Sequence, residues 1–242
     1  MSYLEVVKIV IALAMLGYGA YRDIKEREVA DKVWLIPGAV GGAINVYERI
    51  QSQPEAIIIY AASIALTALV ALPFYYLSLY GGADAKALIA IAAIDPFVRG
   101  DNVLHGFTGI TTFTNGMLLS AIIPITMAAY NIKRIASGQR IFEGFEGESR
   151  LRKVVACFIG TRLSNSSRRR FWSQIERRED GKRRFVFNLS IEGFDEEAKY
   201  DDAWVTPGIP LLVFLAAGYI TTLVYGNLLW PFASLLATLL SA

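Results

Sequence analysis

The sequence predicts an all-α membrane helical bundle of six transmembrane helices, with a small antiparallel β-rich domain inserted between the fifth and the sixth. Three observations carry this. Mean hydropathy over the 242 residues is +0.41, high for a soluble domain of that length. Apolar runs of roughly 20 residues match what a helix needs to cross a bilayer of about 30 Å. The charges are unevenly spread: sixteen Lys and Arg lie between Lys133 and Asp202, beside twelve Asp and Glu. The expected organisation is helices one to five in 1–135, the polar insertion in 136–203, and helix six with a last apolar segment in 204–242.

The first helix is expected from Tyr3 to Tyr21. The run Ile9–Gly19 has the small apolar character of a signal peptide, but charges follow it rather than an A-x-A-like site, so it reads as a retained helix. A charged connection, 22–32, leads to a glycine-rich second helix, Val33–Tyr47, where Gly38, Gly41 and Gly42 allow close helix approach. The third, Glu55–Tyr80, ends in interfacial aromatics. Gly81-Gly82-Ala83-Asp84 precedes a short fourth helix, Ala85–Ile94, closed by Asp95-Pro96. The fifth runs Phe113–Ile135, with a kink expected at Pro124. In the insertion, Leu151–Leu163 reads as a strand, and Phe171–Glu179 and Lys182–Ile191 read as a hairpin across Asp180-Gly181. The sixth helix is expected from Trp204 through Pro207 and Pro210 to Tyr225, with Leu228–Leu240 as a short packed continuation.

Lys and Arg placement sets the orientation. Arg22, Lys25, Arg27 and Lys32 lie in the first connection, whereas the second loop has Arg49 and the fourth Arg99. The first connection, the Gly81–Asp84 turn and the basic domain are therefore expected in the cytoplasm, and the N-terminus outside.

Cys157 and His105 are the single cysteine and the single histidine. A disulfide within the chain is impossible, and a Cys/His zinc site is disfavoured, since such sites use three or four of these ligands. His105 reads as a surface residue on an outer loop, Cys157 as a small apolar residue in a strand. No metal or cofactor is expected. The arginines of the insertion alternate with acids such as Glu143, Glu146, Glu148, Glu176 and Glu179. That mixture reads as a solvated surface, with anionic lipid headgroups a better partner than nucleic acid.

The chemistry then rests on two aspartates. Asp23 closes the first helix and Asp84 opens the fourth, both at the cytoplasmic membrane face. Ionisable groups at that depth are costly and often functional. Each has a structural reading too: Asp84, like Asp31 before the second helix, suits a helix N-cap, and Asp23 could be one interfacial charge among several. Gly81 and Gly82 could merely end the third helix. Lys86 could tune the local field, or anchor at the interface by snorkelling.

The segments Asp23-Ile24-Lys25-Glu26-Arg27-Glu28-Val29-Ala30-Asp31, Gly81-Gly82-Ala83-Asp84-Ala85-Lys86 and Thr206-Pro207-Gly208-Ile209-Pro210 resemble the type IV prepilin peptidase family, most of all its archaeal preflagellin peptidase branch. The second segment resembles that family's GxGD block, with Ala83 in place of the usual glycine. The resemblance implies a membrane aspartyl endopeptidase with Asp23 and Asp84 catalytic, and with Gly81, Gly82, Ala83 and Lys86 supporting the motif or binding substrate. It implies preflagellin or prepilin leader peptides as substrates, basic and followed by an apolar helix. Bacterial relatives that also N-methylate carry a cysteine cluster, which this chain lacks, so no methyltransferase activity is expected. Competing readings are a small transporter using the two aspartates as ion sites, a presenilin-like protease, or a non-catalytic assembly component of the pilus or flagellum.

Overall fold

The computed structural model describes residues 2–52, 55–164, 171–179, 182–187 and 201–240. The chain divides into two compact units, Met1–Ser120 with Pro210–Ala242, and Ala121–Ile209. The first unit holds α1 (Tyr3–Glu26), α2 (Lys32–Ser52), α3 (Ala56–Tyr76), α4 (Gly82–Ile94), α5 (Thr108–Ser120), α8 (Leu211–Val224) and α9 (Trp230–Leu240). Three stretches are long and apolar enough to cross a membrane: Tyr3–Glu26, Ala56–Tyr76 and Thr108–Ala136.

Lipid outside inverts the usual helix pattern, and α3 shows it. Its buried stripe is Tyr60, Ser63, Thr67 and Ala71, small or polar residues at helical spacing. Its outward face is Ile58, Ile59, Leu66, Leu69 and Leu72. No hydrophobic force drives helices together in lipid, so small residues and buried hydrogen bonds hold the bundle. The crossing of α5 and α8 depends on the first device. A Cβ built on Gly218 would lie 2.6 Å from both the Gly116 nitrogen and the Thr112 oxygen.

At the centre lies α4, with eight of its thirteen residues buried, among them Leu88, Ile91 and Ile94. It is too short to span a bilayer, so its end groups must be satisfied inside the protein. Asn45 Nδ2 donates to the carbonyls of Ala93 and Ile94, each at 2.8 Å. The Tyr60 hydroxyl donates to Ala93, and Ser63 to the Pro96 carbonyl, each at 3.0 Å. Asp95, which caps the helix and is 1% exposed, is held by two bonds from Arg99, at 2.7 and 2.9 Å, and by the Tyr219 hydroxyl at 2.9 Å.

The second unit holds α6 (Ile122–Ala136), α7 (Arg150–Ile159) and strands β1 (Thr161–Ser164), β2 (Trp172–Gln174), β3 (Glu176–Glu179), β4 (Lys182–Phe185) and β5 (Asp202–Pro207). One antiparallel sheet has the order β1-β5-β2, and β3 pairs antiparallel with β4. Phe145, Phe185 and Trp204 form the core, with Phe145 stacked on Phe185 at 4.2 Å.

Several expectations are corrected. Leu151–Leu163 is mostly helix, not strand: Ser149 caps α7 by accepting the Arg152 N–H, and β1 follows only after Gly160. Buried Cys157 is therefore helical. Trp204–Pro207 belongs to β5, paired with β1 and β2, and the helix begins after Pro210; prolines 207 and 210 lack the N–H that a helix through them would use, which disfavours one there. The expected fifth helix starts earlier, at Thr108, and divides at Ala121. Pro124 falls in the first turn of α6, where its missing N–H costs nothing. The third helix stops at Tyr76 rather than Tyr80. Glu176 is no solvated charge. It is 5% exposed, accepts from Arg183 at 2.8 Å, and takes the Trp204 N–H at 2.9 Å. The hairpin turn Asp180-Gly181 lies outside the described residues, but the strands on either side of it pair.

Two predictions follow from this packing. Gly218→Ala forces α8 off α5 and should lower stability by about 1–3 kcal/mol, read as a fall in unfolding temperature in detergent; an unchanged temperature would refute the close crossing. In the second unit, hydrogen bonds from Arg162, at 2.7 and 2.8 Å, and then from Arg183, at 3.1 Å, hold the Asp202 carboxyl at about 2, below its ordinary 3.8. A carboxyl depressed by folding stabilises the fold above its unfolded value, and that contribution is lost as pH falls from about 4 toward 2. The protection factor at β5, the exchange rate referred to that of the free amide at the same pH, should therefore fall across that window in wild type, and Asp202→Asn should flatten the dependence.

Candidate active site

Asp23 lies in the last turn of α1. Arg27 ends that helix in the left-handed region, at φ 59°, and donates its N–H to the Asp23 carbonyl. The same arginine turns its side chain back, placing Nη1 3.6 Å from Asp23 Oδ1. On the other side, Asp23 Oδ2 accepts the Leu212 N–H at 3.3 Å. Leu212 is in the first turn of α8, whose N-cap, Pro210, has no side-chain cap of its own. The Asp23 carboxylate thus caps a second helix from α1, where the helix dipole favours negative charge.

Asp84 repeats this arrangement on α4. It is the third residue of that helix and 8% exposed, and its Oδ2 accepts the Gly81 N–H at 2.9 Å. It is therefore not the N-cap residue, a position Gly81 occupies, yet it does the capping. Asp23 and Arg27 both lie within Coulombic reach of Asp84, so two carboxyl groups and one guanidinium share a region. Tyr80, whose charge also couples to Asp84, is buried against Phe74 and Phe113.

The motif residues have plain roles. Neither Gly81 nor Gly82 has a positive φ, and neither ends α3, which closes at Leu77 with Ser78 left-handed at φ 54°. Space constrains them only mildly: a Cβ on Gly81 would make an ordinary contact, 3.4 Å from Asp84 Oδ2, and one on Gly82 would sit 3.2 Å from the Tyr75 ring, which would have to give by a few tenths of an ångström. Ala83 is in the first turn of α4 and takes no positive φ, so alanine suits that position. Lys86 Nζ lies 2.6 Å from Asp31 Oδ1 and links the starts of α4 and α2. Both side chains are substantially exposed, so the pair contributes little stability.

Arg27 and the Leu212 N–H were not among the residues singled out from the sequence. The spacing of Asp23 and Arg27, one helical turn apart, carried that signal. A backbone N–H two residues past a proline leaves none in a residue pattern. With two carboxyl groups in one region, each on a fixed backbone donor, one can be ionised while the other keeps a proton, an arrangement that suits activating water against a carbonyl.

Residues 10–125 match the sequence model of the type IV leader peptidase family, and residues 152–228 that of the archaeal peptidase A24 C-terminus, type II. The preflagellin peptidase of Methanococcus maripaludis is 23% identical, over 93% of this chain and 98% of its own. Those of Methanococcus voltae and Methanocaldococcus jannaschii are 22% and 23% identical, over 90% of this chain and 96% and 93% of theirs.

Ala83→Gly restores the family's usual residue at a position that does not need it. Stability should fall by at most about 1 kcal/mol, with proteolytic activity little changed. A gain or loss of about tenfold, some 1.4 kcal/mol of barrier, would mean that the motif backbone departs from helix during the reaction.

Proposed function

The chain belongs to the type IV leader peptidase family and is a membrane peptidase, and from that premise we propose that it is an aspartyl endopeptidase removing the short basic leader of preflagellin or type IV prepilin-like precursors at the cytoplasmic membrane face. The catalytic pair is Asp23 and Asp84. Supporting this above all is one observation: two carboxyls, each set on a helix N-terminus, lie within Coulombic reach of each other. The relatives named above are preflagellin peptidases, which favours a leader peptide as substrate.

Like charges this near do not ionise together easily, so the pair holds one proton between them. The ionised member draws a proton from water as the oxygen attacks the scissile carbonyl. The protonated member gives its proton to the developing oxyanion; the proton drawn from water then passes from the first member to the leaving amine, and the tetrahedral diol returns a hydroxyl proton to the second as the carbonyl reforms. No covalent enzyme intermediate is required. Substrate must present its bond extended, because a helical carbonyl is already bonded to its own chain. Gly81 and Gly82, with no side chains, leave the backbone approachable beside Asp84, and Ala83 adds only a methyl. Lys86 lies two residues past Asp84 and pairs with Asp31 in the open, so the Asp31 carboxylate can exchange Lys86 for a basic residue of the leader.

The membrane arrangement of this reading has six crossings, the N-terminus outside, and the first connection, the motif turn and the polar insertion in the cytoplasm. The density of Lys and Arg in the first connection and in the insertion supports it, and the motif turn follows from the count of crossings. Methyltransferase activity is not part of the reading, since the chain has one cysteine.

The test is cleavage of a preflagellin or prepilin in membranes by wild type, Asp23→Asn and Asp84→Asn, followed on a gel. Asparagine keeps an acceptor for the Leu212 and Gly81 N–H groups, so both variants should accumulate normally while cleavage falls roughly 10²–10⁴-fold. Cleavage surviving either substitution would break the dyad and move weight to a transport or assembly role.

A further inference from the structure

Outside the apolar helix α6, the outer face of α7 is a surface of the second unit, among the described residues, whose chemistry does not suit water. Leu151, Val154 and Phe158 stand at helical spacing and are 73%, 53% and 45% exposed. The opposite side of the helix buries Ala156 and Cys157 in the aromatic core. Single exposed apolar residues are ordinary, but an unbroken stripe along one helix face marks a covered surface.

Three observations identify what covers it. The first is depth. Asn131 of α6 donates to the carbonyls of Cys157 at 2.9 Å and Gly160 at 2.7 Å, which fastens the C-terminal end of α7 to the last turns of α6. Those turns are where the apolar stretch Thr108–Ala136 runs out, in Lys133 and Arg134. The second is an interfacial aromatic at that level: Tyr130 is 49% exposed, with the Arg134 guanidinium 5.6 Å above its ring. Such aromatic and basic residues mark a headgroup region. The third is charge. Arg150, Arg152 and Lys153 lie on α7 itself, which carries no acidic residue.

We propose that α7 is an interfacial helix, its Leu151–Val154–Phe158 face sunk among anionic lipid headgroups at the level where α6 leaves the bilayer. An amphipathic helix with basic residues flanking its apolar stripe binds such a surface through buried apolar area together with attraction to anionic lipid. The proposal rests on the chain being a membrane protein, not on the identity of its catalytic pair, and it stands or falls separately from that pair.

The experiment is a nitroxide scan of the full chain in lipid nanodiscs. Cys157→Ala removes the native thiol, and single cysteines are then placed in turn at each position from 150 to 156 and at 158. Collision with dissolved oxygen reports lipid, and collision with a water-soluble nickel chelate reports solvent. With anionic lipid, oxygen should dominate at 151, 154 and 158, and the chelate at 150, with a helical period between. Replacing the anionic lipid by a zwitterionic one should shift the three labels toward the chelate. Chelate-dominated signals at all three positions in anionic discs would overturn the proposal. So would an oxygen signal indifferent to lipid charge. So would spin–spin broadening at 154 that disappears on dilution with unlabelled chain, because the stripe would then be covered by a second copy.

Discussion

A helix that ends inside a membrane protein must satisfy its backbone ends with protein groups, and the first unit is arranged around that requirement at α4. Thirteen residues span about 20 Å, less than a bilayer core. The free N–H groups at one end and the free carbonyls at the other have no partners within the helix itself. At the far end Asn45, Tyr60 and Ser63 supply donors from α2 and α3. At the near end Asp84 supplies the acceptor. The carboxyl assigned to catalysis is thus also a structural cap, which ties its position to the helix it terminates.

The same solution appears at α8, but the carboxylate comes from another helix. Asp23 bonds the Leu212 N–H, so α1 and α8 cannot separate at this end without exposing a helix terminus. Arg27 adds a guanidinium on the other side. Two like charges near each other are ordinarily unfavourable. Two helix N-termini and one cation offset that cost, and in the proposed reaction their fixed dipoles would need no rearrangement. Farther along α8, Tyr219 bonds Asp95 at the opposite end of α4, so α8 is tied near both ends of that helix.

Much of this was legible in the sequence. Apolar run length located α1 and α3, and the composition change located the polar insertion. Asp23 and Asp84 were visible because each is an acid beside an apolar helix. The misreadings have physical causes. Val154-Val155 has strand propensity, which outweighed the Ser149 cap and the helical spacing of Leu151, Val154 and Phe158. Trp204-Val205 looked continuous with the apolar α8, although Pro207 and Pro210, two missing N–H groups three residues apart, disfavour a helix through that segment. Ala83 raised a question of backbone shape that only the φ angles could answer. The Leu212 donor was out of reach, because a backbone N–H has no side chain to read and its partner is distant in sequence.

The central claim is that Asp23 and Asp84 act on one proton as a pair, and the most direct measurement is carboxyl titration of Asp84 by ¹³C NMR, in wild type and in Asp23→Asn. A coupled pair titrates as a unit, with steps that belong to neither residue alone. The account predicts that the Asp84 signal in wild type shows two steps, and that Asp23→Asn merges them into one and displaces it. An Asp84 curve identical in the two proteins would contradict the account, because the two carboxyls would then be strangers that share only an end of the bundle.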